Sequence, residues 1–135
     1  MKKLMNFIFV TVMLTGISSI TISFIDKQQK ASVPDEYKTM KNPVKSNTQN
    51  LDDAKEAYNK HCASCHGKKG LGDGPKARTI DTSCGDFSTA KFQSQTDGEL
   101  FYWTKFGRGV MPAYKGKVSD EDIWGMVNYM RTFKK

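Results

Sequence analysis

Cysteine and histidine are scarce in this chain, which has three cysteines and two histidines among its 135 residues. None of the five lies before His61, so the N-terminal stretch offers no cysteine for a lipid anchor. A zinc site on Cys62 and Cys65 would need two further ligands, and the chain offers little beyond His61 and Cys84. These absences exclude a lipoprotein anchor and leave zinc as a weak alternative for the Cys62–Cys65 pair.

Dense runs of basic residues with interleaved aromatic side chains are also absent, although the formal net charge is +7. Residues 1–30 contain four lysines and one aspartate, so the rest of the chain carries +4. Such a mildly basic surface suits docking to an acidic face of a protein partner, and nucleic acid is a poor candidate. The chain also lacks a constellation of acid, base and nucleophile, so we do not expect an enzyme by itself.

A long uncharged apolar stretch occurs at residues 4–25, directly after Lys2 and Lys3. A basic start followed by an apolar stretch is typical of an export signal, but this stretch has the length of a membrane span. No Ala-x-Ala cleavage site closes it, so we favour an uncleaved N-terminal membrane anchor over a cleaved signal. The preceding lysines predict that the following domain lies in the periplasm or on the outer face of the cytoplasmic membrane.

Two further regions follow this export segment, which we bound at residues 1–25. Residues 26–50 are polar and contain two prolines, which predicts a linker. Residues 51–135 contain every cysteine, histidine and tryptophan of the chain, which predicts one globular domain. A domain of this size is marginal on its own apolar burial, so a bound cofactor would complete its core.

Cys62-Ala-Ser-Cys65-His66 has the spacing of c-type haem attachment. Two thiols on one helical turn can add to the two vinyl groups of a haem, and His66 can then ligate the iron. A redox Cys-x-x-Cys motif would need a strand–helix–strand context, and we find no strand candidate. The motif therefore predicts one haem c, bound covalently through Cys62 and Cys65.

Helical periodicity predicts an all-α domain with three to four helices and long loops. One helix begins near Leu51 after an Asn50 cap and leads into the motif. A second follows Thr96, where Glu99 completes a capping box, and the last follows Ser119. Residues 67–86 and the segment around Met111 are rich in glycine and read as loops.

The second axial position of the iron could take His61, a methionine, a lysine or water. His61 is too close to His66 along the chain to reach the opposite face of a haem. Met126 and Met130 have the spacing of core residues in the last helix. Met111 follows a Gly-x-Gly loop and precedes a proline, 45 residues beyond His66. We predict Met111 as the second ligand, the alternative being a loop methionine that fills a gap in the core.

These motifs together make the domain similar to class I cytochromes c, especially the cytochrome c subunit domains of bacterial terminal oxidases. The similarity rests on four segments: CASCHG (62–67), GLGDGP (70–75), GVMP (109–112) and WGMVNYMR (124–131). It implies a small fold wrapped around one covalent haem, in which the first and last helices cross. It also implies that the carbonyl of Pro75 accepts a hydrogen bond from Nδ1 of His66. Cys84 departs from the family pattern, and three roles stay open for it: a small semi-buried loop residue, an intermolecular disulfide or a redox role.

The resemblance implies one-electron transfer between respiratory redox partners outside the cytoplasm. We therefore expect an electron carrier, which can also be a subunit of an oxidoreductase complex. Two alternatives stay open. One is a haem-based gas or redox sensor in which Met111 dissociates, and the other is a fixed electron-entry subunit of an oxidase or reductase.

Overall fold

The computed structural model describes residues 32–135, so the predicted export segment lies outside the described residues. Six α-helices and one short 3₁₀ helix follow one another along this range. They are α1 (Asp35–Lys38), α2 (Thr48–His61), α3 (Ala63–His66), the 3₁₀ helix (Pro75–Thr79), α4 (Ala90–Gln93), α5 (Asp97–Phe106) and α6 (Asp120–Arg131). Within residues 32–135 the structure has no strand beyond isolated bridge pairs, which confirms the all-α prediction.

The starts of the three long helices follow ordinary capping chemistry. Thr96 and Glu99 form the predicted capping box of α5, and Ser119 caps α6 as predicted. The start of α2 differs from the prediction, because Asn47 rather than Asn50 is its cap. The side chain of Asn47 accepts from the backbone N–H of Asn50 at 2.9 Å, which lets the helix begin at Thr48.

The core lies where α2 crosses α6, as expected from the family resemblance. A Cβ on Gly125 would lie 3.5 Å from the Cβ of Ala54, so small residues let the two helices approach. Tyr58 is fully buried in this interface, and its ring packs 5.3 Å from that of Tyr129. Helix α5 covers a second side of α6, where the ring of Phe101 stacks on Trp124.

Residues 32–50 pack against this core, which corrects the prediction that residues 26–50 form a linker throughout. Val33 is buried, and the ring of Tyr37 in α1 lies 4.9 Å from that of Tyr102 in α5. The side chain of Asn42 donates to the carbonyl of Trp124 in α6 at 2.9 Å. A few well-placed side chains in a polar stretch are enough to dock it, and composition alone does not reveal them. Across residues 32–135, no helix has the length and apolarity to cross a membrane.

Candidate functional site

The Cys-x-x-Cys-His motif forms a single helical turn at the end of α2. Cys62 closes α2, and its carbonyl accepts from the backbone N–H of Cys65 at 3.1 Å and of His66 at 3.0 Å. Cys62 is the N-cap of α3 and Cys65 lies within it, so the two cysteines are three residues apart on one helical turn. Their spacing along one helical turn is what attachment to the two vinyl groups of one haem requires.

The imidazole of His66 is oriented by a hydrogen bond to a backbone carbonyl. Its Nδ1 lies 2.7 Å from the carbonyl oxygen of Cys84. A carbonyl only accepts, so Nδ1 carries the proton and donates, and Nε2 keeps its lone pair. Burial lowers the pKa of His66 more than this hydrogen bond raises it, so the ring is neutral at pH 7. A neutral ring with a free Nε2 is the form that binds iron.

This contact corrects the prediction that the carbonyl of Pro75 accepts from His66. Pro75 is exposed and begins the 3₁₀ helix, which packs against α3. The backbone N–H of Gly74 is instead bonded to the carbonyl of Cys65 at 3.1 Å. The segment around Pro75 therefore contacts the backbone of the motif, and the loop that contains Cys84 reaches the imidazole.

Two loops surround His66, residues 67–74 and residues 84–87, and we call them together the His66 clamp. Gly72 donates its N–H to the carbonyl of His66 at 2.9 Å. Phe87 donates its N–H to the carbonyl of Gly70 at 2.7 Å, which joins the two loops. The buried ring of Phe87 also lies 4.6 Å from the imidazole of His66. The clamp thus restrains both the backbone and the ring of the predicted ligand.

The thiols of the motif face different surroundings. The thiol of Cys62 points toward the core, with Sγ 3.8 Å from Sδ of Met126. Burial raises the pKa of this thiol to about 12, and the neighbouring Cys65 adds to the shift. Burial raises the pKa of the Cys84 thiol, and the nearby Cys65 thiol adds to the shift, so Cys84 lies beside the motif through both its thiol and its carbonyl.

Met111 ends a tight turn formed by residues 108–111, which we call the Met111 turn. Two backbone hydrogen bonds close it, from Arg108 N–H to the Met111 carbonyl at 3.1 Å and from Met111 N–H to the Arg108 carbonyl at 3.0 Å. Met111 is half-buried, whereas Val110 at the tip is 67% exposed. Ligation by Met111 stays a prediction, because these contacts define the backbone of the turn and not the reach of the thioether.

A hydrogen bond connects the segment after this turn to the start of the motif. The hydroxyl of Tyr114 donates to the carbonyl of His61 at 2.6 Å, and His61 directly precedes Cys62. The structure therefore brings the chain three residues beyond Met111 to the motif. Met126 and Met130 are buried in the core, as their helical spacing predicted.

The donor set fits one covalently bound haem. It combines two uncrosslinked thiols on one helical turn with an imidazole whose Nε2 is available. Among residues 32–135, no group of three or more His, Cys, Asp or Glu side chains is placed to hold a metal ion directly.

Sequence reasoning missed the carbonyl of Cys84 and the role of Phe87. A backbone carbonyl has no side-chain signature, and only its environment could have pointed to it. The available signals were an apolar Phe87 in an otherwise polar loop and the glycine that follows Cys84.

Comparison with known proteins gives one family and several similar folds. The model of the family described as cytochrome c oxidase, cbb3-type, subunit III matches residues 49–130, which is more than half of the chain. A search of curated proteins finds no match.

One similar solved structure is a chain of the Kuenenia stuttgartiensis reducing HAO-like protein complex Kustc0457/Kustc0458. It has a TM-score of 0.62 and 24% identity, and the alignment covers 69% of this chain and 47% of that one. The alignment thus spans about half the length of that relative, and the similarity concerns the fold. Another is the KustC0563 c-type cytochrome, with a TM-score of 0.55 and 26% identity, covering 62% of this chain and 99% of that one.

Proposed function

The chain belongs to the cbb3-type cytochrome c oxidase subunit III family, and on this premise we propose that it carries single electrons through one haem c. Cys62 and Cys65 would hold the haem through thioether bonds, and His66 and Met111 would ligate its iron. When bound, the haem supplies an iron that alternates between the ferrous and ferric states. The observation that carries the proposal is the His66 ring, whose Nδ1–H is used by a carbonyl so that Nε2 is left for iron.

The role of His66 depends on its supports in the chain. The hydrogen bond from Nδ1–H to the Cys84 carbonyl fixes the tautomer and raises the basicity of Nε2. Packing against Phe87 limits rotation of the ring. A ligand held in this way keeps its position when the charge on the iron changes, which favours rapid electron transfer.

Two observations support Met111 as a ligand: the burial of the other methionines and the position of its segment. Met126 and Met130 are buried in the core, and among residues 32–135 Met111 is the methionine that lies half-buried in a loop. The Tyr114–His61 hydrogen bond anchors its segment next to the motif. With His66 and Met111 both holding the iron, the reduction potential would be higher than with two histidines and no position would be left for a substrate, which suits a carrier.

Partners of this domain would be redox proteins with acidic docking faces. Four exposed basic residues lie close to the motif: Lys68 and Lys69 follow it after one glycine, and Lys76 and Arg78 lie in the 3₁₀ helix that packs on α3. Such a cluster favours encounter with an acidic surface. We further propose that the domain works outside the cytoplasm and is exported by residues 1–25.

A fixed place in an oxidoreductase is the second candidate, because the family is described as an oxidase subunit. Purification of the full chain from its native membrane in mild detergent separates the two candidates. A stoichiometric partner complex would support the fixed subunit, and recovery of the chain alone would support the mobile carrier.

The attachment proposal is tested by expressing the full chain with a c-type haem maturation system. We expect an intact mass that includes one haem after denaturation, and a pyridine haemochrome spectrum of a haem with two thioether bonds. A haem that is extracted by acidified organic solvent would overturn covalent attachment.

A further inference from the structure

The peptide that offers its carbonyl to His66 is held by an unusual backbone conformation. Gly85 has φ +76°, in the left-handed region, and no atom lies within 4 Å of the position that a Cβ would take. The site therefore needs glycine for its conformation and not for lack of space. Because the accepting carbonyl belongs to the peptide joining Cys84 to Gly85, the φ of Gly85 sets how this peptide is oriented toward Phe87.

A second glycine, Gly72 in the other loop of the clamp, packs against both peptides that meet at Gly85. A Cβ on it would lie 3.2 Å from the Gly85 nitrogen, which belongs to the accepting peptide. A Cβ on Gly72 would lie 2.5 Å from the carbonyl oxygen of Gly85, which is backbone and cannot move alone. The N–H of Gly72 is also bonded to the carbonyl of His66 at 2.9 Å. Gly72 therefore lets the loop of residues 84–87 approach the histidine from which that loop accepts a hydrogen bond.

Resting on the proposed function, we propose that Gly85 and Gly72 are positioning residues that set the reduction potential by holding the Cys84 carbonyl on Nδ1–H of His66. A carbonyl that accepts from Nδ1–H increases electron donation by Nε2, which favours the ferric state. Displacing the carbonyl weakens this donation and favours the ferrous state. The potential should then rise.

The decisive pair of variants is Gly85→Ala and Gly116→Ala in the haem-loaded full chain. Both glycines have φ +76° and open space where a Cβ would be, so both substitutions impose the same backbone strain. We expect Gly85→Ala to shift the potential upward and to speed the exchange of the His66 Nδ1 proton. Gly116→Ala should lose a similar amount of thermal stability and keep the wild-type potential.

Two further variants test whether the potential depends on the backbone of this loop or on the thiol of Cys84. Gly72→Ala should shift the potential in the same direction as Gly85→Ala, because its Cβ would push on Gly85 and so displace the accepting peptide. Cys84→Ala should leave the potential unchanged, because the accepting group is a backbone carbonyl. Equal shifts in Gly85→Ala and Gly116→Ala, or no shift in Gly85→Ala, would overturn the proposal.

Even if the glycine variants do not fold, NMR on the wild-type protein tests the hydrogen bond on which the proposal depends. In the reduced protein, NMR coupling across the hydrogen bond should connect Nδ1 of His66 with the carbonyl carbon of Cys84. A coupling to the carbonyl carbon of Pro75, or a rapidly exchanging Nδ1 proton, would contradict the inference. Failure of the wild-type chain to attach haem would instead refute the proposed function, so the two failures are distinguishable.

Discussion

The His66 clamp and the Met111 turn present the two proposed iron ligands in different ways. The clamp joins two loops to α3, and it restrains His66 through a hydrogen bond to the ring, one to its backbone and the packing of Phe87. The Met111 turn is closed mainly by its own two hydrogen bonds, and Val110 at its tip is exposed. The position of His66 therefore depends on contacts between separate loops, whereas the position of Met111 depends mainly on the hydrogen bonds of one short turn.

Loss of a cysteine that attaches the haem, next to the His66 clamp, should have the largest effect on the haem spectrum. Cys65→Ala removes one of the two thiols, so we expect at most one thioether bond and a shifted pyridine haemochrome spectrum. Cys84→Ala is the matched control, because it removes the neighbouring thiol, and it should keep the normal spectrum. A normal spectrum for Cys65→Ala would refute the assignment of the attachment site.

Loss of the proposed ligand in the Met111 turn should have the next largest effect. Met111→Ala should abolish the weak near-infrared band of methionine-ligated ferric haem and lower the potential. We expect a drop of more than about 60 mV, which corresponds to more than tenfold in the ferrous-to-ferric ratio. Val110→Ala changes the exposed neighbour and should retain both properties. A near-infrared band that persists in Met111→Ala would assign the ligand to another residue.

The glycine before the Met111 turn and the glycine within it should differ in how well they tolerate alanine. A Cβ on Gly107 would lie 2.6 Å from the Met111 carbonyl oxygen, and its φ is +78°. Gly109 has φ +58° with open space around it. Gly107→Ala should therefore lower the free energy of unfolding by about 3 kcal/mol, combining strain with overlap. Gly109→Ala should cost about 1 kcal/mol from strain alone, and chemical denaturation would measure both.

Losses of similar size from Gly107→Ala and Gly109→Ala would show that the turn can move away from the overlap. The contrast between a tightly packed entry and an open tip of the Met111 turn would then be wrong.

Two tyrosine hydroxyls each donate to a backbone carbonyl, and losing either should cost less than Gly107→Ala. Tyr58 donates to Gly67 at 2.9 Å within the core, and Tyr114 donates to His61 at 2.6 Å in a half-buried position. Tyr58→Phe should cost about 1.5 kcal/mol of unfolding free energy, because it removes a buried hydrogen bond, although the Gly67 carbonyl still accepts from the N–H of Gly70 at 3.2 Å. Tyr114→Phe should cost about 1 kcal/mol.

Thermal unfolding and the near-infrared spectrum together test the two tyrosine variants. Only Tyr114→Phe should weaken the methionine band, since its hydrogen bond anchors the segment after the Met111 turn. If the methionine band weakened in Tyr58→Phe and not in Tyr114→Phe, the contrast between the His66 clamp and the Met111 turn would be wrong.

The elements that sequence could predict are those whose signal lies in side chains. Capping by Thr96 and Ser119, the spacing of Cys62, Cys65 and His66, and the burial of Met126 all follow from residue type and periodicity. The helical fold and the family follow from the same patterns.

What sequence could not predict depends on backbone groups and on a few tertiary contacts. The Cys84 carbonyl was missed because every residue has a carbonyl, and only the folded loop selects one of them. The docking of residues 32–50 was missed because it depends on Val33 and Tyr37 within a polar stretch. Neither feature changes the composition or periodicity from which a sequence is interpreted.

The central claim is that this chain carries electrons on an iron closed by two protein ligands. Optical redox titration of the haem-loaded full chain, with and without carbon monoxide, tests it most directly. We predict a one-electron curve with the same midpoint potential under both conditions, because carbon monoxide finds no open position. A midpoint that rises under carbon monoxide would show an open ferrous iron and would contradict the carrier account.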